Sequence, residues 1–267
     1  RYKQHERDMR KKYNVPASRL AKLVETGPLY KIKEDEKWFL WENHDNIKTT
    51  PKGLTKFLLS VPWKFPYARL LALQYLQNWT APPPLEALIL LDYRFPDITV
   101  RAYAVALLNK LNDGDLFNFL LQIVQALKYE PYHDNSVARF LLQRAVRNTH
   151  VIGDRLYWLL LSELEEPPVF EKHGVLLCEY LRTCDLHRNN LLKIKKFIDD
   201  LLSIALHIKR AKDKDEQKAI LHEELKKVAM PDKTFRLPIK PRVEVKSLRV
   251  EKCKVMSSKK KRLWLVF

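Results

Sequence analysis

Ser257-Ser258-Lys259-Lys260-Lys261-Arg262 lies between two short apolar runs whose residues alternate with a period near two. Hydroxyls, loop amides and ammonium groups gathered on one tight turn are what a triphosphate needs as partners. The same pattern also describes a solvated basic hairpin, and the residues alone leave both readings open. A second charged stretch, Glu34-Asp35-Glu36, opens an apolar segment containing Trp38, Phe39, Leu40 and Trp41. Acids in a first helical turn complement the helix dipole; they would equally form a docking surface for a basic partner. Cys178, Cys184 and His187 match no common zinc spacing and read as helix positions, so no metal ligands are assigned. There is no His-Glu-x-x-His pair, no Gly-x-Ser-x-Gly elbow and no Walker-type loop, and no residue of this chain is assigned a catalytic role.

The elements that must position these residues are mostly helical. In the stretch 112–148, Leu116, Phe119, Leu120, Ile123, Val124 and Leu127 recur at helical spacing, and Val137, Phe140, Leu141, Ala145 and Val146 repeat the pattern. Asp113 and Asp134 stand where N-caps are expected, and Pro131 separates the two helices. Each apolar stripe is too wide to be covered by its partner alone, so the pair needs neighbours on both sides, as in an α-solenoid. Helices are expected over 54–61, 67–79, 85–91, 151–164, 170–181 and 191–208, with another from Val100. First helices of successive pairs begin near Tyr67, Ile98, Ser136 and Phe170, spacings of 31, 38 and 34 residues that suit a HEAT-type repeat. The charged stretch 209–227 has only Ile220, Leu221 and Leu225, with Val228 just beyond, as a thin stripe, and reads as a helix on the outer surface. At Met230-Pro231 the period switches. Val243, Val245, Leu248, Val250, Cys253 and Val255 read as extended strands, and 263–267 as a returning strand, so the chain ends on a β-hairpin.

Composition limits the alternatives. The chain has 267 residues, 46% of them hydrophobic, which excludes global disorder. Five glycines allow few turns with positive φ and disfavour an all-β fold. Three cysteines are no disulfide framework and point to a reducing, cytoplasmic setting. No apolar run is long enough to span a bilayer. The net charge of +17 is concentrated at the ends: residues 1–24 carry +6, residues 231–267 carry +9, and the body between them only +2. A nucleic-acid binder would spread its lysines and arginines along one face, so no nucleic-acid partner is expected. Basic ends suit a linker, a phosphate-contacting loop or an anionic membrane surface. The chain opens on Arg1 and stops in an apolar strand, which reads as a segment of a longer protein.

Six motifs, LLSVPW (58–63), EALILLDYRFPD (86–97), VRAYAV (100–105), FLLQIVQALKYEPYHD (119–134), ARFLLQRAVRN (138–148) and VEKCKVMSSKKKRLWLVF (250–267), resemble the phosphoinositide 3-kinases. The resemblance is co-linear and covers nearly all of 28–267. The QALKYE segment also resembles class III members, whereas the terminal CKVMSSKKKRLWL is more similar to class I. The resemblance implies a basic linker over 1–27, a helical accessory domain over 28–230, and a linker with the first hairpin of a lipid kinase domain over 231–267. It implies a scaffold on which the Ras-binding, membrane-binding β-sandwich and kinase domains of the same chain would pack. It also implies ATP and magnesium for the parent enzyme, with neither bound by the helical domain. Ser258 and Lys260 would contact ATP phosphates, Met256 and Trp264 would line the adenine side, and Ser257 belongs to the same loop. Lys261-Arg262 departs from the Arg-Pro of many relatives. The family's catalytic and metal-binding loops lie downstream, so this chain alone should transfer no phosphate.

Class IA members receive the basic surface of a regulatory subunit on an acidic cluster that aligns with PLYKIKEDEKWFLW (28–41). Glu34 and Asp35 match its second part, whereas Lys31 reverses the charge of its first. The resemblance therefore makes Glu34 and Asp35 the regulatory-contact candidates and implies that such a contact is weak or absent. The sequence-based reading is thus an all-α, HEAT-like solenoid of antiparallel helix pairs followed by a kinase N-lobe hairpin. Its parent would transfer the ATP γ-phosphate to the 3-hydroxyl of inositol lipids, be cytoplasmic and be recruited to membranes. A regulatory subunit and a small G protein would be its partners. The competing readings are a free-standing HEAT-type adaptor for protein or nucleic acid, and a class III or 4-kinase relative.

Overall fold

A computed structural model describes residues 2–12, 18–27, 30–167, 169–211, 213–238, 240–257 and 262–267. The described residues form helices through residue 225 and antiparallel strands after it. The helices are α1 (Tyr2–Lys12), α2 (Arg19–Glu25), α3 (Glu34–Glu42), α4 (Gly53–Ser60), α5 (Pro66–Gln77), α6 (Ile98–Leu108), α7 (Asp113–Ala126), α8 (Ser136–Arg147), α9 (Asp154–Ser162), α10 (Phe170–Thr183), α11 (His187–Arg210) and α12 (Lys214–Leu225). The strands are β1 (Phe235–Leu237), β2 (Lys240–Val245), β3 (Lys254–Val255) and β4 (Leu263–Trp264). The all-α reading with a terminal hairpin holds.

The chain divides into two units, residues 1–143 with 166–176, and residues 144–165 with 177–267. In the first unit α3 packs on α4. Trp41, Phe57 and Trp79 stack in succession, with centroids 5.6 Å and 4.8 Å apart, and Tyr75 meets Phe57 edge-on at 6.0 Å. Such rings remove large apolar areas from water and favour these offset geometries. Leu116, Leu120, Ile123, Val124, Leu127, Val137, Phe140, Leu141 and Ala145 are buried as the helical spacing requires, but Val146 is exposed.

The helix starts differ from expectation by one residue. Asn112 caps α7, its Oδ1 accepting from Asp115 N–H at 2.9 Å, and Asn135 Oδ1 accepts from Ala138 N–H at 2.8 Å at the start of α8. Asp113 is already inside the first turn of α7, and Asp134 instead holds Arg139 through both carboxylate oxygens. With an asparagine at the cap, the neighbouring acid serves the dipole or a cation instead. The segment 86–91 is a 3-10 turn rather than an α-helix. Six residues after three prolines are too few to nucleate α-helix, and the tighter turn serves.

In the second unit one cluster contains Ile194, Phe197, Leu201, Ile204 and Ile208 of α11, Leu221 and Leu225 of α12, Phe235, Val245 and Cys253. The expected outer-surface helix is therefore corrected twice. One helix, α11, ends at Arg210 and Asp213 caps the next, and the thin stripe of α12 is core. Four apolar residues suffice because they meet α11 on one side and the strands on the other. Phe197, Phe235 and Phe267 form a three-ring contact with centroids 5.3–6.4 Å apart. The terminal run is not left bare: Leu263, Leu265 and Phe267 pack against this cluster. An additional hairpin, β1–β2, precedes the expected one, with Phe235 opposite Val245 and Arg236 opposite Glu244. Val250–Lys252, read as strand, is a 3-10 turn.

Candidate functional site

The β3–β4 hairpin carries the turn singled out by its chemistry. Lys254 pairs with Trp264 and Val255 with Leu263. Alternation along each strand turns Lys254 and Trp264 outward and leaves Val255 and Leu263 half-buried towards the α11–α12 core. Met256 N–H donates to Arg262 O at 2.7 Å, so the hairpin is closed at the base of the turn. Met256 and Ser257 border a cavity of about 350 Å³ with Lys214, Gln217, Lys218 and Lys254. Trp264 is 57% exposed and is not part of that lining. Ser258 and Lys260, with Lys259 and Lys261, lie outside the described residues. The lining sets the three lysines against one acid, Asp215, and lies beside the first turn of α12, whose N-terminus the Asp213 carboxylate already caps.

The acidic turn is the second candidate. Glu34, Asp35 and Glu36 form the first turn of α3. Glu36 Oε2 accepts from Lys33 N–H at 2.9 Å, the half of a capping box in which the third helical residue reaches back to the cap. Its carboxylate also takes the Arg19 guanidinium and the Tyr30 hydroxyl, at 3.0 and 3.1 Å from its two oxygens. Burial would raise the Glu36 pKa, but Lys33 N–H, Tyr30 and Arg19 together hold it below the usual carboxylate value of 4.5. The Tyr30 phenol is pushed up, chiefly by its hydrogen bond to Glu36. Asp35 lies 3.9 Å from Arg19, and Glu34 pairs with Lys37 at 2.6 Å. Each acid of the trio thus already faces a cation of its own chain. Glu36, which spacing did not single out, is the buried member, while Glu34 and Asp35 are the outer ones.

Two buried polar clusters escaped the sequence-based reading. Arg101, fully buried, donates from Nε to Glu130 Oε1 at 2.5 Å, from Nη1 to Leu91 O at 2.8 Å and from Nη2 to Ala126 O at 3.1 Å. One guanidinium thereby satisfies carbonyls at the ends of the 86–91 turn and of α7, which helix geometry leaves without partners. Lys172 donates to the carbonyl of Glu130. An arginine inside the apolar run Val100–Leu108 was the available signal.

The other cluster joins His187 Nε2 to Asp154 Oδ1 at 2.9 Å, with the His150 ring edge-on to His187 at 5.1 Å. His150 belongs to a π-helical turn, Thr149–Gly153, that feeds α9. The three residues border a cavity of about 240 Å³ with Thr234, Phe235 and Arg236. Cys178 is exposed and Cys184 buried, and among the described residues no three His, Cys, Asp or Glu side chains are grouped to hold a metal ion. Among the described residues no helix is long and apolar enough to cross a membrane.

These features, a helical body running into a short basic hairpin, define an accessory helical module. Residues 8–193 match the accessory domain (PIK domain) of the phosphoinositide 3-kinase family. The chain belongs to that family. It is 40% identical over 251 residues to phosphatidylinositol 3-kinase 2 of Dictyostelium discoideum, covering 94% of this chain and 14% of that protein. It is 38% identical over 240 residues to phosphatidylinositol 3-kinase 1 of the same organism, covering 90% of this chain and 15% of the relative. The chain therefore spans about a seventh of the length of these curated relatives.

Proposed function

We propose that this chain is the helical scaffold and first kinase hairpin of a phosphatidylinositol 3-kinase. Its parent transfers the ATP γ-phosphate to the 3-hydroxyl of phosphoinositides at a membrane surface. The observation that carries this reading is the sharing of one core by α11, α12 and the β3–β4 hairpin. A helical body and the strands of a neighbouring lobe would share such a core if the first served to hold the second. Ser257, Ser258 and Lys260 offer hydroxyls and an ammonium group to the substrate's phosphates, and Met256 and Trp264 offer apolar surface to its base. These contacts bind and orient the nucleotide and neutralise charge. The described residues supply no ligand set for magnesium. HEAT-like stacking of the helix pairs is the mode by which the body would present surfaces to Ras-binding and β-sandwich domains.

Full-length protein assayed with ATP and phosphatidylinositol vesicles should form 3-phosphorylated lipid, and the 1–267 chain alone should form none. Lys260→Ala in the full-length protein should raise KM for ATP about tenfold, as loss of a charge-assisted contact does. Turnover by the isolated chain, or a Lys260→Ala protein with unaltered KM for ATP, would refute the reading.

A further inference from the structure

A pair of two-residue strands cannot hold a turn in place unaided; isolated short hairpins are marginal in water. What holds β3 is visible at Cys253, the residue before it, which is 1% exposed. Its Sγ donates to Arg249 O at 3.3 Å and accepts from Val266 N–H at 3.5 Å. Arg249 N–H donates to Val266 O at 2.7 Å, so the strand after the turn is fastened to the segment before it. The carbonyl of Cys253 points away from this pairing to α12, where His222 Nε2 lies 3.1 Å from it. A ring nitrogen facing a carbonyl at that distance carries the proton and donates. Leu221 and Leu225, on either side of His222 along α12, are buried in the same cluster as Cys253. The helix therefore grips the strand by an apolar face and by one directional bond. Three residues beyond that bond the chain reaches Met256, where the turn begins.

We propose that His222 is a positioning residue for nucleotide binding, acting through the Cys253 carbonyl to fix the height and angle at which β3 delivers Met256 and Ser257. The proposal rests on the reading of that turn as ATP-facing. A residue that only aims a ground-state contact shifts KM for ATP and leaves kcat alone. His222 is partly exposed, so its replacement leaves the core intact.

The test uses His222→Leu, which keeps bulk and removes the donor, and His222→Gln, whose side-chain amide reaches the same carbonyl. In the full-length protein, His222→Leu should raise KM for ATP about fivefold, the worth of one hydrogen bond, with kcat and lipid KM unchanged, and His222→Gln should restore it. In the 1–267 chain, amide hydrogen exchange at Met256 and Val266 should quicken in His222→Leu and not in His222→Gln, while amides of Leu201 and Ile204 in α11 stay protected. Unchanged exchange at Met256 and Val266 overturns the tether whatever the enzymology shows. Altered exchange with an unaltered KM for ATP overturns the nucleotide role. Wild-type protein without ATP-dependent lipid phosphorylation overturns the kinase reading instead, and the exchange result then stands by itself.

Discussion

Glu36 shows how one residue's surroundings decide what a charge does. Three donors outweigh the cost of burying its carboxylate, so its folded pKa lies below 4.5. A carboxylate held below its unfolded value contributes stability that is present above the unfolded pKa and lost as pH falls through the folded one. Stability of the wild-type chain should therefore drop from about pH 4.5 downward, and Glu36→Gln should flatten that part of the profile. Urea midpoints measured at intervals from about pH 6 to pH 3 would check this; parallel profiles for the two proteins would exclude Glu36 as a source. In sequence, Glu36 looks like its neighbours Glu34 and Asp35. The partners that distinguish it, Arg19 and Tyr30, are 17 and 6 residues away, and no local pattern names them.

At the scale of elements, the π-helical turn and α10 approach closely at Gly153 and Tyr180. A Cβ placed on Gly153 would overlap the Tyr180 hydroxyl and stand 3.0 Å from Ala145 O. Tyr180 is fully buried, its hydroxyl has no hydrogen-bond partner, and burial pushes its pKa up strongly. Glycine is thus required by close approach rather than by backbone angle, since it has no positive φ. Gly153→Ala should cost roughly 1–3 kcal/mol by overpacking. Tyr180→Phe removes an unsatisfied hydroxyl and should be neutral or stabilising. The double variant should recover part of the loss, because the two sites touch. Thermal and urea unfolding of the four proteins would measure the coupling; strict additivity would refute the contact as its cause. The sequence spacing predicted a helix over 151–164, and α9 is there. It gave no sign of the extra residue that makes the preceding turn π-helical, since that is set by what packs against it.

For the whole molecule, charge placement matters more than charge total. Glu34 pairs with Lys37, Asp35 neighbours Arg19, and Lys31 is exposed three residues before Glu34. An incoming basic surface would have to displace these partners, so we propose that a restraining contact of that kind would gain little here. Glu34→Lys in the full-length protein should change basal phosphoryl transfer by no more than about twofold, in keeping with the small worth of an exposed pair. A marked rise that depends on a co-purifying subunit would show that the acidic turn is a restraint after all. The sequence by itself determined the helical class, the positions of most helices, the terminal hairpin and the family, because apolar periodicity and long co-linear motifs are local properties of the chain. Only tertiary structure decided that α12 is core-facing, that Arg101 links Leu91, Ala126 and Glu130, that Glu36 is the buried acid and that His222 reaches the Cys253 carbonyl. The Arg101 and His222 contacts join residues 10 to 31 positions apart, and a pattern with a period of 2 or 3.6 carries no record of a partner at such a distance.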